Sequence, residues 1–442
     1  MKKTQTRRTF IKKSAAAGLG LAFATSARSY ASILGANDRV NMAVIGLHGR
    51  GKALIGAASA CDNTGMVAIC DVDNRELGKT NELVTKRFGK KAAEYGDIRK
   101  LLENKAIDAI MIATPEHWHA PMTIMGVQAG KHVYVEKPCS HNPREGELLV
   151  EARDKYGKVI QMGTQQRSAP TTIQAMQDIR DGLIGDVYYG KAWYANNRLA
   201  IGNGKLAHVP DWLDWELWQG PAPREAYNDI YVHYNWHWFW KYGTGEINNN
   251  GTHEIDICRW AMGLKYPKSV SSSGGRFHFH DDWQFYDTQV VNYEFEGGKM
   301  INWEGRSCNG HPINGEGRGV TLHGTEGTIM LTRNAYTRFD LDNKLVQEIK
   351  EEEESATLNT VGAGNLDKFH MQNFLAAIRD GAPLHSPIDE GANTNLLCHL
   401  GNYSQKLGRK IALDTATGRP LNDPEAMQFW SREYEPGWEI KV

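Results

Sequence analysis

Short apolar runs alternate with helical stretches along the first third of the chain after Asn37. The runs, apolar throughout rather than alternating, are Val40–Ile45, Met66–Cys70, Ile107–Ala113, His132–Val135 and Lys158–Met162. The stretches between them have helical length, as at Arg75–Phe88, Ala120–Ala129 and Pro143–Tyr156. Strands that are buried on both faces and alternate with helices are typical of a parallel sheet covered by helices on both sides. The pattern therefore predicts a doubly wound α/β domain over residues 38–165.

The pattern changes after about Gln165, where apolar and polar residues begin to alternate with period two. The alternating runs are Val187–Ala195, Ser269–Phe277, Thr288–Phe295, Met300–Ser307 and Val320–Leu331. Gly297-Gly298 is a hairpin turn signal between two of them. Two later stretches, Leu366–Arg379 and Asn393–Leu407, are helical in pattern. Residues 166–442 are therefore predicted to form an α+β domain with an open, largely antiparallel sheet, and its last helices are expected to pack back on the first domain.

The first 31 residues have the pattern of a targeting signal rather than of a folded element. Residues 7–13 (RRTFIKK) form a basic region with paired arginines, and a short apolar run follows that is too short to span a bilayer. Ala27 and Ala31 each offer a small-residue cleavage site. The segment resembles a twin-arginine signal, which implies export of the folded protein to the periplasm and no membrane attachment after cleavage. The alternative is a disordered basic tail on a cytoplasmic protein.

The composition excludes several classes of partner. Among 442 residues, 51 Lys and Arg face 52 Asp and Glu, so there is no basic field to attract nucleic acid or an anionic membrane. The six cysteines are scattered without a CxxC pair, so neither a zinc ribbon nor a disulfide framework is predicted. The best run of metal-ligand residues, HFHDD at 278–282, is better explained as the end of a surface strand, and we predict no metal site.

The first apolar run ends in a glycine-rich turn, GLHGRG at residues 46–51. A dinucleotide-binding turn has Gly at its first, third and sixth places. Gly46 and Gly51 fit, whereas His48 takes the third place with Gly49 and Arg50 behind it. Asp71 ends the next strand, where a carboxylate binds the adenosine ribose and repels a 2′-phosphate. These residues predict a Rossmann domain that binds NAD, with NADP less favoured; the alternative is a structural glycine turn in another α/β protein.

A second group of polar residues follows the later strands. A lysine at the carboxyl edge of the sheet, as in Glu136-Lys137-Pro138, can hold a substrate hydroxyl and stabilise the alkoxide that forms during hydride transfer. Taken together, the sequence resembles the glucose–fructose oxidoreductase, inositol dehydrogenase and rhizopine catabolism family (Gfo/Idh/MocA) from about Asn37 to the C-terminus. The resemblance is carried by the glycine turn, Asp71, ATPEHWH at 113–119, EKP at 136–138 and NNGTHEID at 249–256. The stretch YNWHWFW at 234–240 is similar to the branch that is exported by the twin-arginine route.

The resemblance implies roles for individual residues. Lys137 is expected to be the catalytic lysine and His253 the general base that takes the hydroxyl proton. The implied cofactor-binding residues are, besides the glycine turn and Asp71, Thr114, Pro115, His117, Glu136, Lys137 and Gln165. Many relatives have Asp where this chain has Asn249, and an amide cannot raise the pKa of His253 by charge. Asp256 is expected either to assist His253 or to pair with Arg259.

Tryptophans cluster between Trp212 and Trp240. Indole rings pack well against the C–H faces of sugars, although a domain core or subunit interface is the alternative for individual tryptophans. The expected substrate-binding residues are Arg167, Trp236, His237, Asn249 and His253. The predicted small-molecule partner is therefore a carbohydrate.

Three functions remain open from the sequence. The first is an NAD-dependent oxidoreductase acting on a ring hydroxyl of a sugar, glycoside or cyclic polyol. The second, known within the resembled family, is a glycosidase that uses tightly bound NAD transiently: oxidation at C3 acidifies the C2 proton, the aglycone is eliminated, and no net redox change results. It needs a further base, for which His237 and Glu246 are candidates. The third is a non-catalytic binder, disfavoured because Lys137 and His253 are both present. The resemblance also implies a homo-oligomer, a dimer or tetramer.

Overall fold

The protein is described by a computed structural model that covers residues 38–333, 335–350 and 365–442. The predicted signal, residues 1–31, lies outside the described residues. Within the described part of the chain, no helix is long and apolar enough to cross a membrane.

The first sheet confirms the predicted parallel, doubly wound arrangement. Its strands are β1 (Val40–Ile45), β2 (Thr64–Cys70), β3 (Ala93–Tyr95), β4 (Ala109–Ile112), β5 (His132–Val135) and β6 (Ile160–Met162). They lie in the order β3-β2-β1-β4-β5-β6 and pair in parallel throughout. The order reverses direction beside β1, which places the ends of β1 and β4 at the switch point where ligands of such sheets bind.

Helices cover both faces of this sheet. They are α1 (Gly49–Ser59), α2 (Asn74–Phe88), α3 (Ile98–Leu102), α4 (His119–Gln128) and α5 (Pro143–Tyr156). One face packs against α1, α2 and a late helix, whose Phe374 is fully buried among strand residues such as Met42. The other face packs against α3, α4 and α5, and the C-terminal segment with Trp438 joins that cluster. The last part of the chain therefore returns to the first domain.

The second sheet is mixed and mostly antiparallel, which confirms the predicted class. Its strands are β7 (Val187–Ala195), β8 (Ser269–Gly275), β9 (Thr288–Glu294), β10 (Met300–Arg306), β11 (Arg318–Gly324), β12 (Thr328–Leu331), β13 (Ala335–Phe339), β14 (Leu345–Lys350) and β15 (Ile411–Ala412). Their order is β14-β13-β12-β11-β7-β10-β9-β8-β15, with β7 and β10 as a parallel pair in the middle. The helices of this half are α6 (Pro170–Arg180), α7 (Trp215–Gln219), α8 (Thr252–Ala261), α9 (Asn365–Asp380), α10 (Ile388–Leu407) and α11 (Pro424–Met427). Of these, α6, α8 and α10 share one apolar core with the sheet.

A long connection between β7 and α8 crosses from the second domain to the first. We call residues 196–245 the aromatic strap. Its backbone pairs with the segment after β2, through Asn74 N–H to Trp212 O at 3.0 Å and Asp214 N–H to Val72 O at 3.0 Å. The Arg75 guanidinium stacks on the Trp212 ring at 3.4 Å, which fixes the same junction. The strap therefore lies over the carboxyl edge of the parallel sheet.

Candidate functional site

A cavity of about 260 Å³ lies between the carboxyl edge of the parallel sheet and the aromatic strap. Most of the predicted cofactor residues line it: Gly46, His48, Gly49, Arg50, Asp71, Thr114, Pro115, Glu136, Lys137 and Gln165. The strap contributes the opposite wall, through Leu217, Trp218, His233, Tyr234, Trp236 and His237. Asn249 and His253 complete the lining from the second domain. The fold thus brings residues from many separate segments of both domains around one space.

The glycine turn has the geometry of a phosphate-binding turn. Gly46 has φ of +86°, and a Cβ there would overlap the carbonyl oxygen of Ala113. A Cβ on Gly51 would overlap the carbonyl oxygen of Gly46, so Gly51 serves the close packing of helix and strand and does not line the cavity. His48 caps α1 without a side-chain hydrogen bond to the helix. The first backbone N–H groups of α1 are therefore not capped by that side chain. An anion site at a helix N-terminus requires such uncapped N–H groups.

Asp71 lies at the cavity, as predicted, but backbone groups already use its carboxylate. One oxygen accepts the Leu47 N–H at 2.7 Å and the other accepts the Asp73 N–H at 2.9 Å. Burial raises the pKa of Asp71, and those two hydrogen bonds oppose the rise. Each carboxylate oxygen has a further lone pair, so the side chain remains able to accept a ribose hydroxyl.

Arg50 and Glu136 form the base of the cavity between the glycine turn and Lys137. Arg50 Nε lies 2.6 Å from Glu136 Oε1, and its Nη2 lies 2.7 Å from Asp367 Oδ1 on α9. Gln165 donates to the same Glu136 oxygen at 3.2 Å. This ion-paired group links α1, the end of β5 and α9, and it orients the strand end that carries Lys137.

Lys137 contacts Asn249. Its Nζ donates to the Asn249 backbone oxygen at 2.5 Å and to Asn249 Oδ1 at 2.9 Å. Asn249 presents both oxygens from a π-helical turn, Ile247–Gly251, directly before α8. Burial lowers the pKa of Lys137, although Glu136 and Glu116 favour its charged form. The Lys137 side chain is therefore partly buried at the cavity wall, where two neutral oxygens of Asn249 hold it.

His253 follows one turn later, on α8, and is 8% exposed. Its Nε2 has no hydrogen-bond partner among the described residues. Burial and the nearby cations Arg318 and Lys137 hold the pKa of His253 well below its usual range. The imidazole is consequently neutral at pH 7 and able to accept a proton. Asp256 does not assist it, and pairs instead with Arg167.

Besides Gly51, two predicted site residues do not line the cavity. Arg167, expected to bind substrate, forms a buried bidentate pair with Asp256, at 2.6 and 2.9 Å. His117, expected to contact the cofactor, is fully buried, and its Nε2 lies 3.0 Å from the Trp218 carbonyl oxygen. His117 follows Pro115 in a short 3-10 turn, Glu116–Trp118, that directs it toward the strap. Both side chains therefore hold structure together instead of facing a ligand.

Some tryptophans lie only in an apolar core and others also line the cavity, and the sequence had left both alternatives open. Trp215, Trp238 and Trp283 belong to an aromatic core inside the strap region. Trp218 and Trp236 share that core but also line the cavity. His237 stacks on Trp236 with ring centroids 3.6 Å apart, and both side chains face the same space.

Some residues of the site were not predicted. Glu116, buried and directly behind Pro115, accepts a hydrogen bond from Thr244, and its Oε1 has no partner among the described residues. Burial raises the pKa of Glu116 to about 8. Glu116 follows closely after β4, and a polar residue that follows a strand of a parallel sheet is a candidate site residue. His233 was not predicted either; it lies 2.9 Å from Asp73, and no local pattern links residues so far apart.

Comparisons with known proteins agree with this architecture. Residues 40–164 match the model for the Gfo/Idh/MocA oxidoreductase family, NAD-binding Rossmann fold, and residues 214–413 match the model for its C-terminal alpha/beta domain. A glycosyl hydrolase family 109 protein of Saccharopolyspora erythraea is 28% identical over 51% of this chain, and the match spans only about half of that relative, 55%. A protein of the same description from Stenotrophomonas maltophilia is 25% identical over 79% of this chain and 82% of its own.

A solved structure shows the same fold. The crystal structure of the WlbA dehydrogenase from Bordetella pertussis, in complex with NADH and UDP-GlcNAcA, superposes with a TM-score of 0.63 at 20% identity. The superposition covers 85% of this chain and 99% of that chain. With both family models matched, this chain belongs to the Gfo/Idh/MocA oxidoreductase family and has its NAD(P)-binding Rossmann fold.

Proposed function

We propose that the protein is an NAD-dependent oxidoreductase that acts on a ring hydroxyl of a sugar, glycoside or cyclic polyol. The observation that carries the proposal is the placement of Lys137 and His253 in one cavity with the glycine turn. Trp236 and His237 add an aromatic wall, which suits the C–H face of a sugar ring.

The residues divide the chemistry between them. When bound, the nicotinamide accepts the hydride from the carbinol carbon. Lys137, in its charged form, would stabilise the negative charge that develops on the hydroxyl oxygen. His253 is neutral at pH 7 and takes the hydroxyl proton. Asn249 holds the ammonium group of Lys137 in place through two oxygens and contributes no charge.

We propose NAD rather than NADP as the cofactor. The carboxylate of Asp71 follows β2 at the cavity, where the 2′ position of the adenosine ribose would come, and it would repel a 2′-phosphate. The residue pattern of the first 31 positions supports export by the twin-arginine route to the periplasm. The family resemblance supports a homo-oligomer.

Redox-neutral cleavage of a glycosidic bond is the second candidate. One observation favours it: curated relatives are named glycosyl hydrolase family 109 proteins. Of the two bases considered for it, Glu246 is bound by Arg198 and Ser307 and does not line the cavity. His237 does line the cavity, so it is the base that this reaction would use.

Two assays on the mature protein separate the candidates. A panel of sugars and polyols with added NAD is followed by absorbance at 340 nm, and nitrophenyl glycosides are followed by release of nitrophenol. Lys137→Met should reduce whichever activity is found by about 100-fold or more. Lys191→Met, which removes a lysine paired with Glu304 on the second sheet, should not reduce it. Turnover that survives Lys137→Met would refute the mechanism, and turnover in neither assay would favour a non-catalytic binder.

A further inference from the structure

Two histidines and one aspartate meet at the rim of the cavity. They are His48 of the glycine turn, Asp73 of the segment after β2 and His233 of the aromatic strap, and one ligand atom from each lies within 4.8 Å of the others. We propose that His48, Asp73 and His233 form a binding site for a divalent transition-metal ion. The ion would join the strap to the Rossmann domain.

The distances are close to those that a metal ion needs. His233 Nε2 lies 2.9 Å and His48 Nε2 lies 3.9 Å from the same oxygen, Asp73 Oδ2. The two imidazole rings lie side by side, with centroids 3.8 Å apart and planes 31° apart. Ligands bound tetrahedrally at about 2.0–2.1 Å lie about 3.3 Å from one another. A small rotation of the His48 ring is enough to complete the set.

The two histidines are placed to bind an ion together with Asp73, which also caps α2 by accepting the Arg75 N–H. His48 Nε2 is buried without a hydrogen-bond partner among the described residues, although the imidazole as a whole is 43% exposed. Asp73 is fully buried, and Arg75 fixes its orientation with contacts to both carboxylate oxygens. Arg75 adds a positive charge that opposes a cation, whereas the nearby carboxylate of Asp71 offsets it. The partial exposure of both histidines leaves room for water as further ligands.

The ligand types select the class of ion. Two imidazoles and one carboxylate suit Zn²⁺, Co²⁺, Ni²⁺ or Cu²⁺ better than Mg²⁺ or Ca²⁺, which prefer oxygen ligands. A role as metal ligand also accounts for the presence of His48 at the third place of the glycine turn, where glycine is usual. Because the three ligands come from three separate segments, the ion would cross-link the strap over the cavity and resist its opening.

The test is metal binding by the full chain, stripped with a chelator and free of nucleotide and substrate. Titration with Zn²⁺ in a calorimeter should show one ion per chain. His48→Asn and His233→Asn should each weaken binding by at least about tenfold, since each removes one of three ligands. His280→Asn, which removes an exposed histidine outside the site, should leave it unchanged.

A second variant keeps the test decisive if the asparagine substitutions disturb the strap. His233→Cys preserves a ligand, and with Co²⁺ it should add a thiolate-to-metal charge-transfer band that the parent protein lacks. Absence of Zn²⁺ binding at about 100 μM, equal binding by all variants, or a Co²⁺ complex of His233→Cys without that band would each overturn the proposal. Since neither nucleotide nor substrate is present, these outcomes are independent of the proposed enzymatic activity.

Discussion

The contact between Lys137 and Asn249 allows the electrostatics of the site to be tested with one substitution. Asn249→Asp would place a carboxylate oxygen where the amide Oδ1 now lies, 2.9 Å from Lys137 Nζ. Two opposite unit charges at that distance attract by about 6 kcal/mol at an effective dielectric constant of ~20. Desolvation of the new carboxylate offsets part of this gain. An opposite charge this close typically raises the pKa of a lysine by about 1–3 pH units.

The assay is the pH dependence of Lys137 methylation by limiting formaldehyde and borohydride, read by mass spectrometry of the digested protein. Only the unprotonated amine reacts, so the midpoint of reactivity of Lys137 should move to higher pH in Asn249→Asp. Lys131 is an internal reference, because its buried Nζ donates to the carbonyl oxygens of Asn104 and Ile107 and has no contact with residue 249. An unchanged Lys137 midpoint, with Lys131 also unchanged, would show that the two side chains are not paired in solution.

Other predictions follow from buried titratable groups and from the strap. The pKa of Glu116 is about 8 in the folded protein and about 4.5 in the unfolded chain, so between these pH values only the folded protein keeps the proton. The free energy of unfolding therefore falls as the pH rises from about 4.5 to about 8. Glu116→Gln should therefore gain about 1–3 kcal/mol of relative stability at pH 9 over pH 5, measured by urea unfolding; no gain would contradict the burial of a neutral carboxyl. Burial lowers the pKa of His117 to about 3, so the free energy of unfolding decreases as the pH falls from about 6.5 toward 3. In His117→Asn, the free energy of unfolding should therefore decrease less between pH 7 and pH 5. Trp212→Ala removes the ring that is stacked on Arg75, and ~1–2 kcal/mol of cation–π and packing energy is lost with it. Release of bound nucleotide during dialysis should therefore become about tenfold faster. An unchanged release rate would argue that the strap does not close the cavity.

Most of the fold was predictable from periodicity. The predicted run Val187–Ala195 coincides with β7, and the hairpin expected at Gly297-Gly298 joins β9 to β10. The run Val320–Leu331 forms two strands, β11 and β12, which fold back on each other at the turn that Thr325-Glu326-Gly327 predicts. The edge strand β14 and its neighbour β13 were not predicted. Most side chains of β14 are exposed, so its alternation of apolar and polar residues is weak.

The site was predictable where a motif follows a strand, and less so elsewhere. Lys137 and Asp71 reach the cavity because the carboxyl ends of parallel strands share one edge. Arg167 was assigned to substrate because nothing local shows that Asp256, 89 positions later, neutralises it. The closing of the strap, with His233 against Asp73, is likewise a contact between distant segments and leaves no periodic trace in the sequence.

The nucleotide content of the purified mature protein tests the central claim most directly. The protein would be isolated without added nucleotide and denatured, and the released molecules would be identified by mass spectrometry; any apoprotein would be titrated with NAD and NADP in a calorimeter. The account predicts that NAD is either released in near-stoichiometric amount or bound by the apoprotein in preference to NADP. It also predicts that Gly46→Val loses this binding, because the valine side chain would overlap the Ala113 carbonyl group. Absence of both released nucleotide and measurable NAD binding would contradict a nicotinamide-dependent enzyme at this cavity.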